Sequence, residues 1–296
     1  MTPRLALCAI VLAAIAAGAA GIALAQNGPG RPHWQGHGIE PPGRNFPLPE
    51  IVSGYWFRTK ETQAIQDDDF NNPGFFAVEQ GEQLWSKPDG AAGKSCASCH
   101  QDAAASMKGV GAAMPKWSDA LHKPVNLEQQ INICRSERMQ ATPWKFGSPE
   151  LTAMATFVRF QSRGLPVSPR VDGPMASWFE KGKQLYYTRN GQLDLACASC
   201  HERNYGRNLR ADFLSQGQSN GFPVYRLRDQ RLVPLHERME GCIFDVRGIP
   251  TRRYRTNSSP SNSTSHGAAP DCRWRRRRCG IEHDLSGRAR SNCSQD

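Results

Sequence analysis

The chain has 296 residues, with 37 Lys and Arg against 27 Asp and Glu, and a formal net charge of +10. Ten of the arginines and four of the acidic residues lie in residues 251–296, so this segment alone contributes +6 (10 − 4). Because the excess charge is confined to one end, it argues against nucleic acid as a partner; the mildly basic remainder suits an anionic substrate or an acidic partner protein.

The first predicted element is an apolar run near the N-terminus. Arg4 precedes this run, which covers residues 5–25 and closes on Ala-Leu-Ala before Gln26. A positively charged residue followed by an apolar stretch that ends in small residues is typical of a cleaved signal peptide. The predicted signal peptide is residues 1–25. A retained membrane anchor is the alternative, because the run approaches the length of a span. The sequence predicts export to the periplasm and no membrane span after cleavage, leaving roughly 270 residues in about two domains.

Two similar segments lie 101 residues apart, after a predicted N-terminal extension at residues 26–74 that begins rich in Pro and Gly. Glu-Gln-Gly-Glu-Gln-Leu-Trp at 79–85 aligns with Glu-Lys-Gly-Lys-Gln-Leu-Tyr at 180–186. In both segments the Gly precedes the next cysteine motif by 15 residues. This shared spacing favours an internal duplication over a chance similarity of two amphipathic helices.

The pentapeptide Cys-Ala-Ser-Cys-His occurs at 96–100 and again at 197–201. It is the attachment signature of c-type haem, in which two thiols form thioethers and the adjoining His ligates the iron. A single copy could be half of a zinc site. Two identical copies, each after its own repeat, instead predict two covalently bound haem c groups. The predicted haem-attaching cysteines are Cys96, Cys99, Cys197 and Cys200, and the predicted iron ligands are His100 and His201.

A closing helix is predicted in the first half. Ser148 suits the N-cap, Pro149 the first helical position and Glu150 the first turn, where a negative charge complements the helix dipole. Gly164 is the predicted C-cap, with Pro166 beyond it. The apolar face of this helix, spaced i, i+3, i+4 and i+7, consists of Leu151, Met154, Ala155 and Val158.

These elements predict a mainly α fold with two tandem cytochrome c-like haem domains related by internal duplication. The first domain is predicted at 75–165 and the second at 166–250, with a linker over residues 164–175. No helix equivalent to the first closing helix is predicted after Cys242.

The composition changes abruptly at residue 251. A polar run at 257–265 is followed by Arg-Trp-Arg-Arg-Arg-Arg at 273–278, without helical periodicity. Such a segment buries too little apolar surface to order itself. Residues 251–296 are interpreted either as a basic tail for an anionic surface or, the favoured hypothesis, as out-of-frame translation of a segment that closed the second domain. The second hypothesis predicts a weakened second domain and therefore weakened activity. No metal-ligating role is predicted for Cys272, Cys279 and Cys293.

Two further cysteines, Cys134 and Cys242, follow the two haem motifs at similar distances. Cys134 lies 38 residues after Cys96, and Cys242 lies 45 residues after Cys197. One interpretation is a disulfide between them, as in exported proteins. The other is that each is the distal iron ligand, where a thiolate lowers the reduction potential, in place of the usual methionine. The available methionines are Met107, Met114, Met139 and Met239.

Arg238 precedes Cys242 by four residues, so on a helix both side chains project to one side. A guanidinium in this position could lower the pKa of the thiol and hold an oxyanion through paired hydrogen bonds. A contact to a haem propionate or a surface carboxylate is the alternative role for this arginine.

In combination, these motifs resemble the SoxA family over roughly residues 45–250. The residues that carry the resemblance are the two Cys-Ala-Ser-Cys-His sites, Asn-Ile-Cys-Arg at 132–135 and Arg-Met-Glu-Gly-Cys at 238–242. The resemblance implies the dihaem subunit of an L-cysteine S-thiosulfotransferase of thiosulfate oxidation. It implies His100 and Cys134 as the ligands of haem 1, and His201 and Cys242 as those of haem 2. Cys242 would also be catalytic, with Arg238 positioning the substrate.

The resemblance also implies a set of partners: the monohaem cytochrome SoxX, a SoxYZ-like sulfur carrier, thiosulfate and a cytochrome c electron acceptor. The implied reaction is the oxidative coupling of thiosulfate to a cysteine of the carrier. The alternative function is a dihaem electron-transfer cytochrome without sulfur chemistry. A zinc- or disulfide-built binding module is a third hypothesis, and it predicts a protein without haem absorbance.

Overall fold

The computed structural model describes residues 36–41, 47–210 and 212–250, together with the backbone of residues 281–283 and 289–291. The predicted signal peptide, Cys8 and the three cysteines of the tail lie outside the described residues. Within the described part of the chain, no helix is both long and apolar enough to cross a bilayer.

The described part of the chain is mainly helical. Its α-helices are α1 (Lys60–Asp67), α2 (Phe75–Ser86), α3 (Ala97–His100), α4 (Ala103–Ser106), α5 (Val110–Ala113), α6 (Leu127–Arg138), α7 (Pro149–Phe160), α8 (Ala176–Tyr187), α9 (Cys197–His201) and α10 (Leu235–Asp245). Short 3₁₀ helices cover Gly54–Phe57 and Gly173–Met175.

In the described ranges, the strands are short and each pairs with its sequence neighbour in an antiparallel ladder. They are β1 (Lys116–Ser118) with β2 (Lys123–Val125), β3 (Asn208–Leu209) with β4 (Asp212–Phe213), β5 (Val224–Arg226) with β6 (Arg231–Val233), and β7 (Ile281–His283) with β8 (Ala289–Ser291). The last ladder lies within the basic tail.

The core of the first half forms where α2 packs against α7, the most extensive helix pairing among the described residues. Trp85 of α2, and Met154 and Phe157 of α7, are all at least nine-tenths buried in one apolar cluster. Gly81 permits the close approach, because a Cβ there would lie 2.4 Å from Cβ of Phe157 and 2.5 Å from the carbonyl oxygen of Ala153. This packing places the segment leading to the first haem motif against the closing helix.

The predicted closing helix is present as α7, with its start at the expected residues. Ser148 caps it by accepting a hydrogen bond from Leu151 N at 3.3 Å, and Pro149 is the first helical residue. All four residues of the predicted apolar face are no more than 3% exposed. The helix ends earlier than predicted, at Phe160; Gly164 adopts a positive φ of 78° four residues later, in the turns that follow. The C-cap prediction was therefore wrong, because those turns separate the glycine from the helix.

The turns that lead into the two haem motifs have the same hydrogen-bonding pattern. In the first half, Ser98 Oγ accepts from Ser95 N at 3.0 Å. In the second half, Ser199 Oγ accepts from Ala196 N, also at 3.0 Å. The preceding turns each form a β-bridge, Asp89 with Lys94 and Asn190 with Leu195. Every one of these positions is offset by 101 residues, as in the sequence repeat.

Both turns also dock on the C-terminal end of the helix that carries the later cysteine. Ala92 N donates to the carbonyl of Met139 just after α6, at 3.2 Å. Leu193 N donates to the carbonyl of Val246 just after α10, at 3.2 Å. The end of each cysteine-bearing helix is therefore tied to the loop that leads into a haem motif.

The N-terminal extension packs onto the second half of the chain. Val52 is fully buried and Phe57 is 1% exposed. Phe57 contacts Tyr205 edge-to-face at 6.4 Å between ring centroids, and Arg58 Nη2 donates to the carbonyl of Phe213 at 3.3 Å. The extension thus reaches across the chain to the loops that follow the second haem motif.

We expect Gly81→Ala to lower the free energy of unfolding of the first half by about 2–3 kcal/mol, because the added methyl meets backbone and Cβ atoms that cannot rotate away. Chemical denaturation followed by tryptophan fluorescence measures this loss. Gly182→Ala, at the aligned position of α8, is the matched control. It should be neutral or stabilise the protein by up to about 1 kcal/mol, because alanine favours a helix over glycine and in the described part no helix packs on α8 as α7 packs on α2. Equal losses in the two variants would contradict this account.

Candidate functional site

The first haem motif lies on α3, beside the aromatic end of α2. Cys96 is partly buried, whereas Cys99 and His100 are exposed. The indole of Trp85 lies 5.8 Å from the His100 ring between centroids. Its Nε1 donates to the carbonyl of Gln101 at 2.9 Å, so the tryptophan holds the end of the motif in place.

Helix α6 brings Cys134 to this first motif. The helix begins at a capping box, in which Asn126 Oδ1 accepts from Gln129 N and Gln129 Oε1 accepts from Asn126 N. Further along this helix, Gln130 Nε2 donates a hydrogen bond to Cys134 Sγ at 3.5 Å. Burial raises the pKa of the Cys96 thiol to about 11, and the nearby Cys134 adds to this rise. The two sulfurs therefore lie within electrostatic range of each other.

Arg135, next to Cys134, is anchored on three sides and is 4% exposed. Its Nη2 donates to Asp89 Oδ2 at 2.7 Å, and this hydrogen bond holds the pKa of the aspartate below its usual value. Its guanidinium lies 3.7 Å from the ring centroid of Trp144, and Nη2 also donates to the carbonyl of Thr142 at 2.9 Å.

A cleft opens beside this arginine, lined by residues that include Leu84, Cys96, Met139 and Trp144. The cleft lies between the first motif and α6.

The second motif lies on α9, where His201 is oriented by the chain that follows. Its Nδ1 lies 2.8 Å from the carbonyl oxygen of Ser215. Because a carbonyl only accepts, the proton is on Nδ1 and the lone pair is on Nε2, the tautomer that ligates a metal through Nε2. Gly217, with a φ of 75°, packs against the same ring, since a Cβ there would lie 2.8 Å from Cγ of His201.

Helix α10 carries Arg238 and Cys242 one turn apart, as predicted. Arg238 is partly buried, and its Nη1 lies 3.9 Å from Asp245 Oδ2, two turns further along the helix. Burial raises the pKa of Cys200; the carboxylate of Asp245 adds to the rise and Arg238 opposes it. These effects place Cys200 of the second motif within electrostatic range of the charged groups on α10.

The sequence analysis missed two largely buried basic groups, one on the hairpin before α10 and one on α10 itself. Arg226, on β5, has a side chain 9% exposed and pairs with Asp229 at 3.2 Å. Its pKa is lowered by burial and by the nearby Arg238, so two guanidinium groups share this region. His236 also has a lowered pKa, caused by burial, and its ring contacts Phe146 at 5.6 Å between centroids. Neither residue belongs to a motif with a recognisable spacing, so no signal in the sequence singled them out.

The predicted site residues lie on two sets of elements, the first motif with α6 and the second motif with α10. Among the described cysteines no disulfide is present, so Cys134 and Cys242 are not joined and that interpretation was wrong. Of the alternative methionine ligands, Met107, Met114 and Met139 are packed in the interior of the first half, each no more than 9% exposed.

A family model and the similar proteins of known name agree on one family. Residues 80–167 match the family model described as the SoxA/TsdA cytochrome c domain. The chain is 52% identical over 202 residues to an L-cysteine S-thiosulfotransferase subunit SoxA from Pseudaminobacter salicylatoxidans, covering 68% of this chain and 71% of that protein. It is 50% identical over 201 residues to the subunit of the same name from Rhodovulum sulfidophilum, covering 68% and 70%.

A solved structure agrees with these relatives. A chain of the crystal structure of SoxXA from P. pantotrophus is similar to this protein with a TM-score of 0.67 and 42% sequence identity. The similarity covers 71% of this chain and 78% of that one. Since relatives of this identity are matched over more than two thirds of their length, the chain belongs to the SoxA family of L-cysteine S-thiosulfotransferase subunits, and it carries that family's haem c-binding cytochrome domain.

Proposed function

We propose that the protein catalyses the oxidative coupling of thiosulfate to a cysteine of a carrier protein, with Cys242 as the catalytic residue. The observation that carries the proposal is the placement of Cys242 on α10, with Arg238 one turn before it and Cys200 of a haem motif within electrostatic range of that arginine. Under this proposal, a nucleophilic sulfur, an oxyanion-binding cation and a redox cofactor motif act together at one site. The family's named activity supports the same reaction.

The proposed chemistry balances in two stages. In the first, the Cys242 thiolate and the terminal sulfur of thiosulfate form an S–S bond, which releases two electrons. In the second, a carrier thiolate attacks the sulfane sulfur of this adduct, takes the sulfur–sulfonate group and returns Cys242 as a thiolate. Arg238 holds the sulfonate oxygens through charge-assisted hydrogen bonds in both stages. When bound, haem c supplies an acceptor for the two electrons, passed on one at a time.

The residues at both motifs fit covalent haem. In the second half, Cys197 and Cys200 would attach the group, and His201 and Cys242 would ligate its iron. The hydrogen bond from His201 to Ser215 supports this, since it presets the ligating tautomer. In the first half, Cys96 and Cys99 would attach the group, with His100 and Cys134 as ligands. The cleft beside Cys96 and the proximity of Cys134 support the first site.

We also propose that the two halves are duplicated cytochrome c-like domains, at 75–165 and 166–250. The common 101-residue offset of the motif turns, the serine hydrogen bonds and the bridges supports a common origin. The N-terminal extension, 26–74, would then serve the second domain, on which its residues 48–58 pack.

The proposed setting is the periplasm, since covalent haem attachment and the predicted signal peptide both need export. By its family, the chain would pair with a SoxX-type monohaem cytochrome. It would hand sulfur to a SoxYZ-like carrier and electrons to a cytochrome c acceptor. The two guanidinium groups at the second site, Arg226 and Arg238, suit thiosulfate, which is a dianion.

Intact mass spectrometry tests this proposal on the protein produced in the periplasm of a host that matures cytochromes c. The expected mass is that of residues 26–296 plus two haem groups. After incubation with thiosulfate, oxidised cytochrome c, a SoxX-type partner and a SoxYZ-like carrier, the carrier should gain one thiosulfate on its cysteine. Two haems with an unmodified carrier would instead indicate an electron-transfer cytochrome. A single haem would contradict the proposed ligand sets.

A further inference from the structure

The N-terminal extension is tied to the second half by a glutamine in a loop more than 160 residues away. Gln216 is fully buried. Its Oε1 accepts from Val52 N at 2.9 Å, and its Nε2 donates to the carbonyl of Glu50 at 3.1 Å. The amide side chain therefore pairs with backbone groups as a neighbouring strand would. Buried polar groups satisfied in this way are costly to leave without partners.

A second glutamine completes the arrangement. Gln218 Nε2 donates to the carbonyl of Val52 at 3.2 Å and to Gln216 Oε1 at 3.0 Å. Both backbone polar groups of Val52 are thus bound by side chains of the loop. Residues 48–58, which we call the strap, are held against this loop and bury the side chains of Leu48, Ile51, Val52 and Phe57.

The same loop, residues 215–218, also contacts the ring of His201. The carbonyl of Ser215 accepts the hydrogen bond from His201 Nδ1, and Gly217 packs against the ring with no room for a Cβ. Gln216 lies between these two contacts in the chain. Because adjacent residues of a loop cannot move independently, a shift of Gln216 would move the carbonyl and the glycine that orient the imidazole.

We propose that Gln216 is a positioning residue, through which the strap fixes the orientation of the His201 imidazole. Nothing in the haem motif itself fixes this ring plane, since the motif determines only that His201 follows Cys200. The strap would thereby set the ligand geometry of the second haem, although it lies far from the motif in sequence. This inference rests on the proposed ligation of haem by His201.

The test replaces Gln216 with Met in the full-length holoprotein. Methionine keeps the length of the side chain but removes all of its hydrogen bonds to the strap. Low-temperature electron paramagnetic resonance should show shifted g-values for one low-spin ferric haem, with the other haem unchanged as an internal reference. Hydrogen exchange at the Val52 amide should become at least about tenfold faster.

Gln63→Met is the matched control. Gln63 is also buried and also binds the strap, with its Nε2 donating to the carbonyls of Tyr55 and Arg58 at 3.0 and 3.2 Å. No contact joins it to the 215–218 loop among the described hydrogen bonds, so its loss should loosen the strap without moving the g-values. Equal spectral shifts in both variants would indicate general loosening and overturn the proposal.

Gln216→Glu adds a rescue experiment. A protonated carboxyl can accept from Val52 N and donate to the carbonyl of Glu50, as the amide does, whereas the ionised form cannot donate. The spectrum of this variant should therefore return to that of the native protein as the pH falls through the pKa of the introduced carboxyl. An unchanged spectrum in Gln216→Met, in a protein whose mass confirms two haems, would overturn this inference alone; a mass with one haem would overturn the proposed function instead.

Discussion

Replacement of Cys242 by Ser is expected to abolish transfer of thiosulfate to the carrier, by at least about a thousandfold, while both haems remain attached. The hydroxyl is not ionised near neutral pH and does not form the S–S bond that links the two proposed stages. The proposed haem-attaching cysteines of the second motif, Cys197 and Cys200, are untouched by the change. The rate of carrier modification by mass spectrometry and the haem count from the intact protein measure the two parts of the prediction.

Cys242→Met separates the loss of the nucleophile from the loss of the iron ligand. Methionine can ligate iron, so this variant should keep a low-spin second haem at a higher potential and still transfer no thiosulfate. Cys279→Ser, a change of the same chemistry in the tail, is the matched control and should keep the native rate. Retained transfer of thiosulfate in Cys242→Met would show that Cys242 is not the catalytic nucleophile.

Arg238→Ala is expected to raise the KM for thiosulfate by about 10- to 100-fold, because it removes a charge-assisted contact to a dianion. Arg238→Lys keeps the charge but loses the paired donors, so its KM should rise by a smaller factor. Steady-state kinetics at several ionic strengths measure both effects. Arg238 faces Asp245, so the alanine variant also removes one cation from that carboxylate and leaves Arg210 as its ion-pair partner. Comparison with the lysine variant separates this electrostatic change from the loss of substrate binding.

Arg170→Ala is the control for charge alone. Arg170 pairs with Asp172 in the segment before α8, and its side chain is 81% exposed. Its removal lowers the net charge by one unit, as Arg238→Ala does, but leaves the second site unchanged. The KM for thiosulfate should therefore stay at the native value. A rise in KM of equal size in Arg170→Ala and Arg238→Ala would indicate long-range steering by net charge instead of a specific contact.

Local features of the fold were predictable because their signals are contiguous in sequence. Ser148 and Pro149 marked the start of α7, and the spacing of its apolar residues gave the buried face correctly. The end of that helix was predicted less well. Gly164 does adopt a positive φ, but the intervening turns after Phe160 leave no periodic pattern to distinguish them from a continuing helix.

The candidate site was predictable only in part. The one-turn spacing of Arg238 and Cys242 placed both on α10. Arg226 was missed because it lies on a hairpin 12 residues before Arg238, and only the folding of that hairpin onto α10 brings the two guanidinium groups together. The interpretation of Cys134 and Cys242 as a disulfide failed because the two cysteines lie on separate helices, α6 and α10, and both are free thiols.

The sequence by itself determined the chemistry of the protein: two haem motifs, two later cysteines, an arginine one turn from the second cysteine, and the capped start of the helix that closes the first half. These depend on residues close together in the chain, so spacing alone reveals them. Only the tertiary structure decided that residues 50–52 lie against residues 216–218, and that the loop between β4 and β5 thereby holds both the strap and the His201 ring. Such contacts join segments more than 160 residues apart through single side-chain amides, and their formation depends on the burial and close packing of the whole second half.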